Sequence, residues 1–588
     1  MDIDGVVNKA LEDADPEWAE FLRTGNAPPE GPADTPPEAG RITPHNGKGT
    51  PRRPADGGAA SAMPEGQAST VAEAEATAPP EAKGTPRRPP GDTAATKLVR
   101  LAWEHFIFHR DPNGTVYATE REGPAHVALP LRGAANGTSL AAKLTSLWWD
   151  KYGQAAPSQA ITDALKTLES KAEPASRELD LRCAELGGES WIDLADKSNP
   201  VVRVSQRGWR IVTSGVPVRF VRTVLTAPMT PPSEHGDLDP LWATVNVAVP
   251  YRPVVLAWMV QALMFPEQPQ PILLLGGEPG SGKTTVARRI CDLIDPSPAG
   301  PRGAPSRQEE WLTIAQGARV IPLDNLSRVP EWLANALCLA CTGDALVTRR
   351  LYTEFELEVR RFRRAVILTS VDLGALRPDL ADRTAMVSLD PITTDLRATD
   401  GELAARWKRD RPGVFAGLLD LAVGVLNCLA DPDRCQGGPK SRMADFVGAL
   451  CAVDEILGTD GSGVYAEQAG NLAADAVASN PFLDAIRTMR EPFTGTAREL
   501  LDRITPTDPE WRKPRGWPAN ARAVTTLLHN HAGALRKVGW QVVEGKSGGH
   551  ANAVQWHLAP PSLRPCRECG GTMDPDLWEA GERTHPAC

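Results

Sequence analysis

Ile272-Leu273-Leu274-Leu275-Gly276-Gly277-Glu278-Pro279-Gly280-Ser281-Gly282-Lys283-Thr284-Thr285-Val286-Ala287-Arg288-Arg289-Ile290 is the stretch from which the rest of the chain is read. Four consecutive aliphatic residues suit a strand buried on both faces, and Thr285 to Ile290 is compatible with a helix. Between them the glycines and Pro279 make a loop. Glycine there lets backbone N–H groups turn inward around phosphate oxygens, and the following helix adds the positive end of its dipole at the same point. Lys283 then falls where it bridges β- and γ-phosphates, and Thr284 where it coordinates Mg²⁺. The candidate phosphate-binding set is Gly277, Glu278, Pro279, Gly280, Ser281, Gly282, Lys283, Thr284 and Thr285. The fold expected around it is α/β.

Forty residues beyond Thr284, a second apolar run, Ala318 to Leu323, ends in Asp324-Asn325. An aspartate at the end of a strand beside the phosphate strand holds Mg²⁺ through its water shell. Asn325 stands where a glutamate would polarise the attacking water, so the general base stays unassigned. A third run, Arg364 to Leu368, ends in Thr369-Ser370. Thr369 is read either as a sensor of the γ-phosphate or as an ordinary strand-end hydroxyl. Arg383, in Asp379-Leu380-Ala381-Asp382-Arg383, has two readings as well: an arginine projected into a neighbouring subunit's site, or a surface ion pair with Asp379 or Asp382.

The chain has 588 residues, room for about three to five folded units. Its net charge of -10 excludes a molecule that binds polyanions over its whole surface, though not a local basic patch. The longest apolar stretches, Val254 to Phe265 and Leu418 to Ala430, fall short of the roughly 20 residues of a spanning helix. The start, Met1-Asp2-Ile3-Asp4, is acidic where a secretory signal is basic. A cytoplasmic protein without a membrane span is expected, and cysteines spread over such a length suit a reducing compartment. The first hundred positions hold fifteen prolines and no aromatic residue falls between Phe21 and Trp103, so residues 1–95 are expected to be mostly disordered. Lys-Gly-Thr-Pro-Arg-Arg-Pro occurs there twice, at Lys48 and Lys83, either as a basic partner-binding motif or as a solvated linker.

Residues 96–232 read as an α+β domain of unknown role, with strand from Leu98 to His109, helices at Ser139 to Tyr152 and Ala160 to Lys171, and strands at Trp191 to Leu194 and Trp209 to Val212. Residues 233–395 form the phosphate-binding core and 396–488 a helical lid. Residues 489–560 have the order of a winged helix: helix from Thr496, basic turn at Trp511 to Pro518, helix from about Ala519 to Lys537, then two strands. Arg512, Lys513, Arg515, Arg522, Arg536, Lys537 and Lys546 face only Glu544 in that span, which suits either DNA in a groove or a protein contact. In 561–588, Cys566, Cys569, His585 and Cys588 are two two-ligand knuckles fifteen residues apart, a closed structural Zn²⁺ set. Cys338 and Cys341 share the two-residue gap but sit in an apolar helix, and core packing is preferred.

Taken together, Gly277 to Thr284, Asp324 to Ser327, Thr342-Gly343-Asp344, Arg349 to Tyr352 and Asp379 to Arg383 resemble the AAA+ ATPase of phage, plasmid and integrative-element primase-helicase proteins, related to superfamily-three helicases. The resemblance implies ATP and Mg²⁺ at Lys283, Thr284 and Asp324, a ring of identical subunits, and single-stranded or forked DNA as partner. It implies a channel-facing hairpin at Leu346 to Arg364, with Arg349, Arg350 or Arg360 to Arg364 as its DNA-facing charges, although the tip Thr353 to Glu356 is acidic. Arg442 resembles a lid residue that reaches the phosphates; an ordinary solvated arginine is the other reading. No primase carboxylate pattern precedes the ATPase, so a motor without a polymerase is expected, acting in replication of a mobile element, with a replication partner at the N-terminal segment. A nucleotide-gated switch with slow hydrolysis and a DNA-binding regulator are the rival functions.

Overall fold

The computed structural model describes residues 92–132, 139–349, 357–371, 376–392, 398–431, 433–435, 438–439, 441–508, 510–546 and 554–561, with the backbone alone at 345–349, 357–361 and 546. The heptapeptide repeats, Arg350, the hairpin tip at Thr353 to Glu356 and the cysteine–histidine set at 566–588 lie outside the described residues.

The first described element is a helix, α1 (Ala94–His105), and only from Phe106 does the chain extend into β1 (Phe106–Arg110). The sequence suggested a strand from Leu98. Its buried residues Leu98, Val99, Leu101 and Ala102 line one helical stripe instead, and the local alternation was a coincidence of that stripe. β1 is followed by β2 (Val116–Glu120) and β3 (Val127–Pro130), then α2 (Leu140–Tyr152) and α3 (Ser158–Ser170). Ser139 caps α2 by accepting from the Ala142 N–H, and Gly153 closes it in the left-handed conformation. Leu140, Leu144 and Trp148, one turn apart, seat α2 in the same core as Phe106, Phe108 and Ala118. The strand pair β4 (Glu173–Pro174) and a later short strand complete the sheet at its two edges.

Next comes an antiparallel meander, β5 (Cys183–Leu186), β6 (Glu189–Asp193), β7 (Val201–Ser205) and β8 (Gly208–Val212). Gly187 and Gly188, both at positive φ, make the two-residue turn between β5 and β6, a conformation costly for any residue with a Cβ. Period-two alternation splits the sheet. Cys183, Ile192, Val202 and Val204 join the large core of the following domain, whereas Ala184, Trp191 and Val201 pack on Val218 and on Phe220 of β9 (Phe220–Val221).

α4 (Asp239–Trp242) leads to α5 (Arg252–Met264), buried on every face from Pro253 to Met264. That explains the apolar stretch at Val254 as a central core helix. Around it runs β10 (Ile272–Gly277), α6 (Lys283–Ile294), α7 (Gln308–Gly317), β11 (Val320–Leu323), α8 (Glu331–Thr342), the hairpin β12 (Ala345–Arg349) and β13 (Leu357–Arg361), β14 (Ala365–Ser370), α9 (Pro378–Ala381) and β15 (Thr384–Leu389). The sheet is parallel in the order β11-β14-β10-β15. From β10 the chain crosses to β11 on one side and returns through β14 to β15 on the other, so the strand order reverses beside β10, whose carboxyl end delivers the glycine loop.

α10 (Asp400–Ala430) starts in a capping box between Thr399 and Glu402 and carries Pro412 in its interior. By length and composition it could cross a membrane, which the sequence reading missed by counting only its last dozen apolar residues. Its apolar face, Val414, Leu418, Leu421 and Val425, belongs to the large core. α11 (Ala444–Leu457) and α12 (Gly461–Ala478) pack behind it, and α12 passes from the large core at Tyr465 to a second core at Ala473 and Val477. That second core holds α13 (Pro481–Arg487), β16 (Phe493–Thr496), α14 (Ala497–Ile504), α15 (Ala521–Lys537), β17 (Gln541–Lys546) and β18 (Val554–Ala559), with the strands in the order β16-β18-β17. β16 was not foreseen: Phe493 to Thr496 is four residues long and finds its partner some sixty residues later, across Phe493↔Leu558.

Candidate nucleotide site

Gly277, Gly280 and Gly282 all take positive φ, at 147°, 83° and 86°. At Gly277 a Cβ would stand 2.5 Å from the Leu389 carbonyl oxygen of β15, so the close approach of two parallel strands, not only the turn, demands glycine there. Gly282 is the residue before α6 and aims the first N–H groups of that helix at the loop's concavity. The Lys283 ammonium donates to the carbonyls of Gly277 (2.8 Å) and Glu278 (2.7 Å), across the mouth of the loop. Burial pulls its pKa below the usual lysine value, and the Asp324 carboxylate opposes that shift.

Asp324 follows directly on β11 and is half-buried. The Thr284 hydroxyl lies 3.0 and 3.1 Å from its two oxygens, and the Thr369 hydroxyl, at the end of β14, donates to Oδ1 at 2.5 Å. Thr369 in turn accepts the Asn325 N–H at 2.8 Å, while its carbonyl accepts from the Leu326 N–H at 2.9 Å. The Ser370 hydroxyl donates to the Leu326 carbonyl at 2.6 Å, so β11 and β14 stay stitched together beyond the last rung of their ladder. Asn325 itself is exposed and left-handed at φ 58°, a conformation that asparagine tolerates better than most residues.

These contacts bring Lys283, Thr284, Asp324, Asn325 and Thr369 to one edge of the sheet. A hydroxyl and a carboxylate in contact on adjoining elements, with a lysine and a ring of backbone N–H groups beside them, form the oxygen-rich donor set that suits Mg²⁺ and a phosphate chain. One contributor escaped the sequence: Asn246 donates its amide to the carbonyls of Ser281 (3.1 Å) and Asp390 (2.6 Å), tying the loop to the end of β15. A lone asparagine between short elements carries no pattern that could have revealed it.

Other expected site residues lie elsewhere. Arg383 is buried, and its guanidinium donates to the Asp379 carboxylate and, at 2.7 Å, to the Asp379 carbonyl. Arg442 is exposed and stands 3.8 Å from the same Asp379 carboxylate. Just past the hairpin, Arg363 donates to the Thr342 carbonyl and the Glu267 carboxylate, and Arg364 is half-buried with its Nε on the Ala315 carbonyl. Burial, with Arg319 beside it, lowers the Arg364 pKa to about 9. Both are held by groups of this domain, Arg363 at the end of α8 and Arg364 on α7, in the return from β13 to β14. Cys338 and Cys341 are buried core residues, as expected, with thiol pKa values pushed up by burial.

In the C-terminal basic span, Lys513, Arg515 and Arg522 are exposed. Arg536 instead folds onto the Val542 carbonyl at 2.8 Å, and Lys537 pairs with Asp382 at 2.6 Å. The last turn of α15 is thereby fixed to its own sheet and to the residue after α9.

In class, this is a multidomain α/β protein with a glycine loop between a parallel strand and a helix. It belongs to the family of actinomycete integrative conjugative element replication proteins: that family's model matches residues 238–475, and the model of the AICE RepA C-terminal domain matches 482–565, together more than half of the chain. Among curated proteins none matches. Similar solved structures include the apo C-terminal region of NrS-1 (10% identity over 79% of this chain and 98% of that one, TM-score 0.35). SCCmec type IV Cch, titled an active helicase, is another (12% identity, 77% and 93%, TM-score 0.39). A third is the JCV helicase with a bound small molecule (14% identity, 40% and 65%, TM-score 0.22).

Proposed function

We propose that the chain binds and hydrolyses ATP as a helicase-like motor in replication of an integrated mobile element. The observation that carries this is the convergence of Lys283, Thr284, Asp324 and Thr369 at the carboxyl edge of β10, β11 and β14. The loop N–H groups and Lys283 hold the phosphates of ATP, and Thr284 and Asp324 hold Mg²⁺, which would neutralise charge between the β- and γ-oxygens. Thr369 orients the Asp324 carboxylate and, with Asn325, lines the side from which water attacks. Asn325 orients that water through its amide and takes no proton, so turnover is slow compared with sites holding a carboxylate there.

In a ring of identical subunits, Arg383 reaches the neighbour's ATP when its pair with Asp379 opens. Arg442, already 3.8 Å from that carboxylate, is placed to take over as the partner of Asp379. Residues 489–560 act as a winged helix. The β16-α14-α15-β17-β18 order supports this, and Lys513, Arg515 and Arg522 on the turn and the start of α15 meet DNA phosphates. Residues 96–232 stay a domain of unassigned role, 396–488 the lid, and Cys566, Cys569, His585 and Cys588 a structural Zn²⁺ knuckle.

Asn325 favours a second reading, a nucleotide-gated switch in which ATP organises contacts and hydrolysis is negligible. ATP hydrolysis with Mg²⁺, measured with and without single-stranded DNA beside Lys283→Ala and Arg383→Ala, separates the two. A motor is stimulated by DNA and loses turnover in both variants. Tight ATP binding with no turnover under any condition overturns the motor in favour of the switch.

A further inference from the structure

Among the described residues one cluster of soft metal donors lies outside the nucleotide site. Cys428 is in the last turn of α10, Cys435 in the connection that follows, and Glu455 in the last turn of α11. Their Sγ, Sγ and carboxylate oxygen atoms all lie within 4.8 Å of one another. Three separate segments thus bring two thiols and a carboxylate to one point. Cys428 also belongs to the large core and Cys435 packs against it, so the cluster sits at the margin between that core and solvent.

We propose that Cys428, Cys435 and Glu455 form a Zn²⁺ site that clamps the ends of α10 and α11 together. Zinc with Zn–S near 2.3 Å and Zn–O near 2.1 Å in tetrahedral geometry holds its ligand atoms about 3.6 Å apart. Cys435 Sγ stands 3.5 Å from Glu455 Oε2, already at that separation. The other Glu455 oxygen, Oε1, is engaged by Arg434 through Nη2 at 2.6 Å and Nε at 2.7 Å, which leaves Oε2 turned toward the thiols. An arginine that fixes a carboxylate from behind is the usual outer partner of a metal ligand. Cys435 adopts φ 55°, a left-handed conformation uncommon for a residue with a Cβ, and it holds this strained geometry while its thiol faces the other two donors. Thiolates select zinc over the Mg²⁺ of the nucleotide site, whose donors are all oxygen. Cys428 is buried and Glu455 is exposed, so solvent water completes the fourth position on the outer side. The role is structural: the clamp closes the loop between α10 and α11, behind the domain that carries the phosphate loop.

The test counts zinc in the full-length chain, purified under reductant from zinc-supplemented cells. Cys566→Ser/Cys569→Ser is the common background, so that the terminal set cannot contribute. About one zinc per chain is expected, lost on adding Cys435→Ser and retained on adding Cys451→Ser, a cysteine one turn from Glu455 on the same helix. Glu455→Gln, with both thiols intact, should weaken binding at least about tenfold. Cobalt in place of zinc should give a thiolate charge-transfer band that Cys435→Ser abolishes. Circular dichroism verifies that each variant is folded. A folded background chain without zinc, zinc content unchanged by Cys435→Ser, or a Cys428–Cys435 disulfide in zinc-free protein would each overturn the proposal.

Discussion

Replacing Thr369 with valine keeps the shape of a side chain that is 2% exposed and removes only its hydroxyl. Two partners lose their hydrogen bond at once: Asp324 Oδ1, which accepts at 2.5 Å, and the Asn325 N–H, which donates at 2.8 Å. A hydrogen bond to a charged group contributes about 1.5–3 kcal/mol and a neutral one about 1 kcal/mol, so Thr369→Val should destabilise the domain by about 2–4 kcal/mol. At about 2–4 °C per kcal/mol for a domain of this size, Tm should fall by roughly 5–15 °C, read by differential scanning calorimetry. Asp324 would keep Thr284 but turn more freely, and Asn325 would lose the contact that holds its left-handed backbone. We therefore expect ATP binding, measured with a fluorescent nucleotide, to change little, and kcat for hydrolysis to drop more than about tenfold, which is about 1.4 kcal/mol in the barrier. Thr369→Ser retains the hydroxyl and should recover most of both losses. If Thr369→Val keeps kcat within twofold of the parent while Lys283→Ala abolishes turnover, Thr369 is only a strand-end hydroxyl and the site argument built on it fails.

Gly277→Ala should abolish nucleotide binding and lower Tm, because the new Cβ would stand 2.5 Å from the Leu389 carbonyl and push β10 off β15; unchanged affinity in a binding assay would contradict that contact. The half-buried Asp180 carboxyl has its pKa raised from 3.8 to about 7 by desolvation, which the charges of Arg177 and Arg319 only partly offset. The folded state therefore prefers it protonated: the cost is absent below pH 4, grows as the pH rises through the window from 4 to 7, and is fully present above. Asp180→Asn should raise Tm by several degrees at pH 8 and leave it nearly unchanged at pH 4.5, and equal Tm values at pH 8 would refute the assigned burial cost.

Much of the site could be read from local pattern because its chemistry is local. Gly277 to Thr284 is one continuous loop, and its strand and helix flanks are encoded in the same twenty residues. Asp324 and Thr369 were legible as the ends of apolar strands, since a parallel sheet puts all such ends on one edge. Arg383 showed the limit. Its motif offered either a reach into a neighbouring subunit's site or an ion pair with Asp379 or Asp382; the pair with Asp379 is present, but its burial depends on α9 packing beneath α8 and α12, which the motif does not encode. The same holds for Arg364, whose place in an arginine-rich run suggested a ligand surface and whose actual neighbour is the Ala315 carbonyl in the core. At the N-terminal side, Leu98 to His105 was misread because four buried residues on a helical stripe can imitate alternation over a short window.

By itself the sequence determined the periodicities and the backbone freedoms: a strand, a glycine loop and a helix read as a phosphate cradle, aliphatic runs ending in Asp324 and Thr369, and a basic turn between two helices. These follow from chemistry within a few residues of each other. Tertiary structure alone decided which of those groups meet. The Thr284–Asp324–Thr369 contacts, the Asn246 amide on the loop, the burial of Arg383, the Lys537–Asp382 pair between α15 and the residue after α9, and the gathering of Cys428, Cys435 and Glu455 all join segments with no common local signal. Their partners are chosen by sheet order and helix packing, which minimise exposed apolar surface over the whole domain and bring polar groups together only as a consequence.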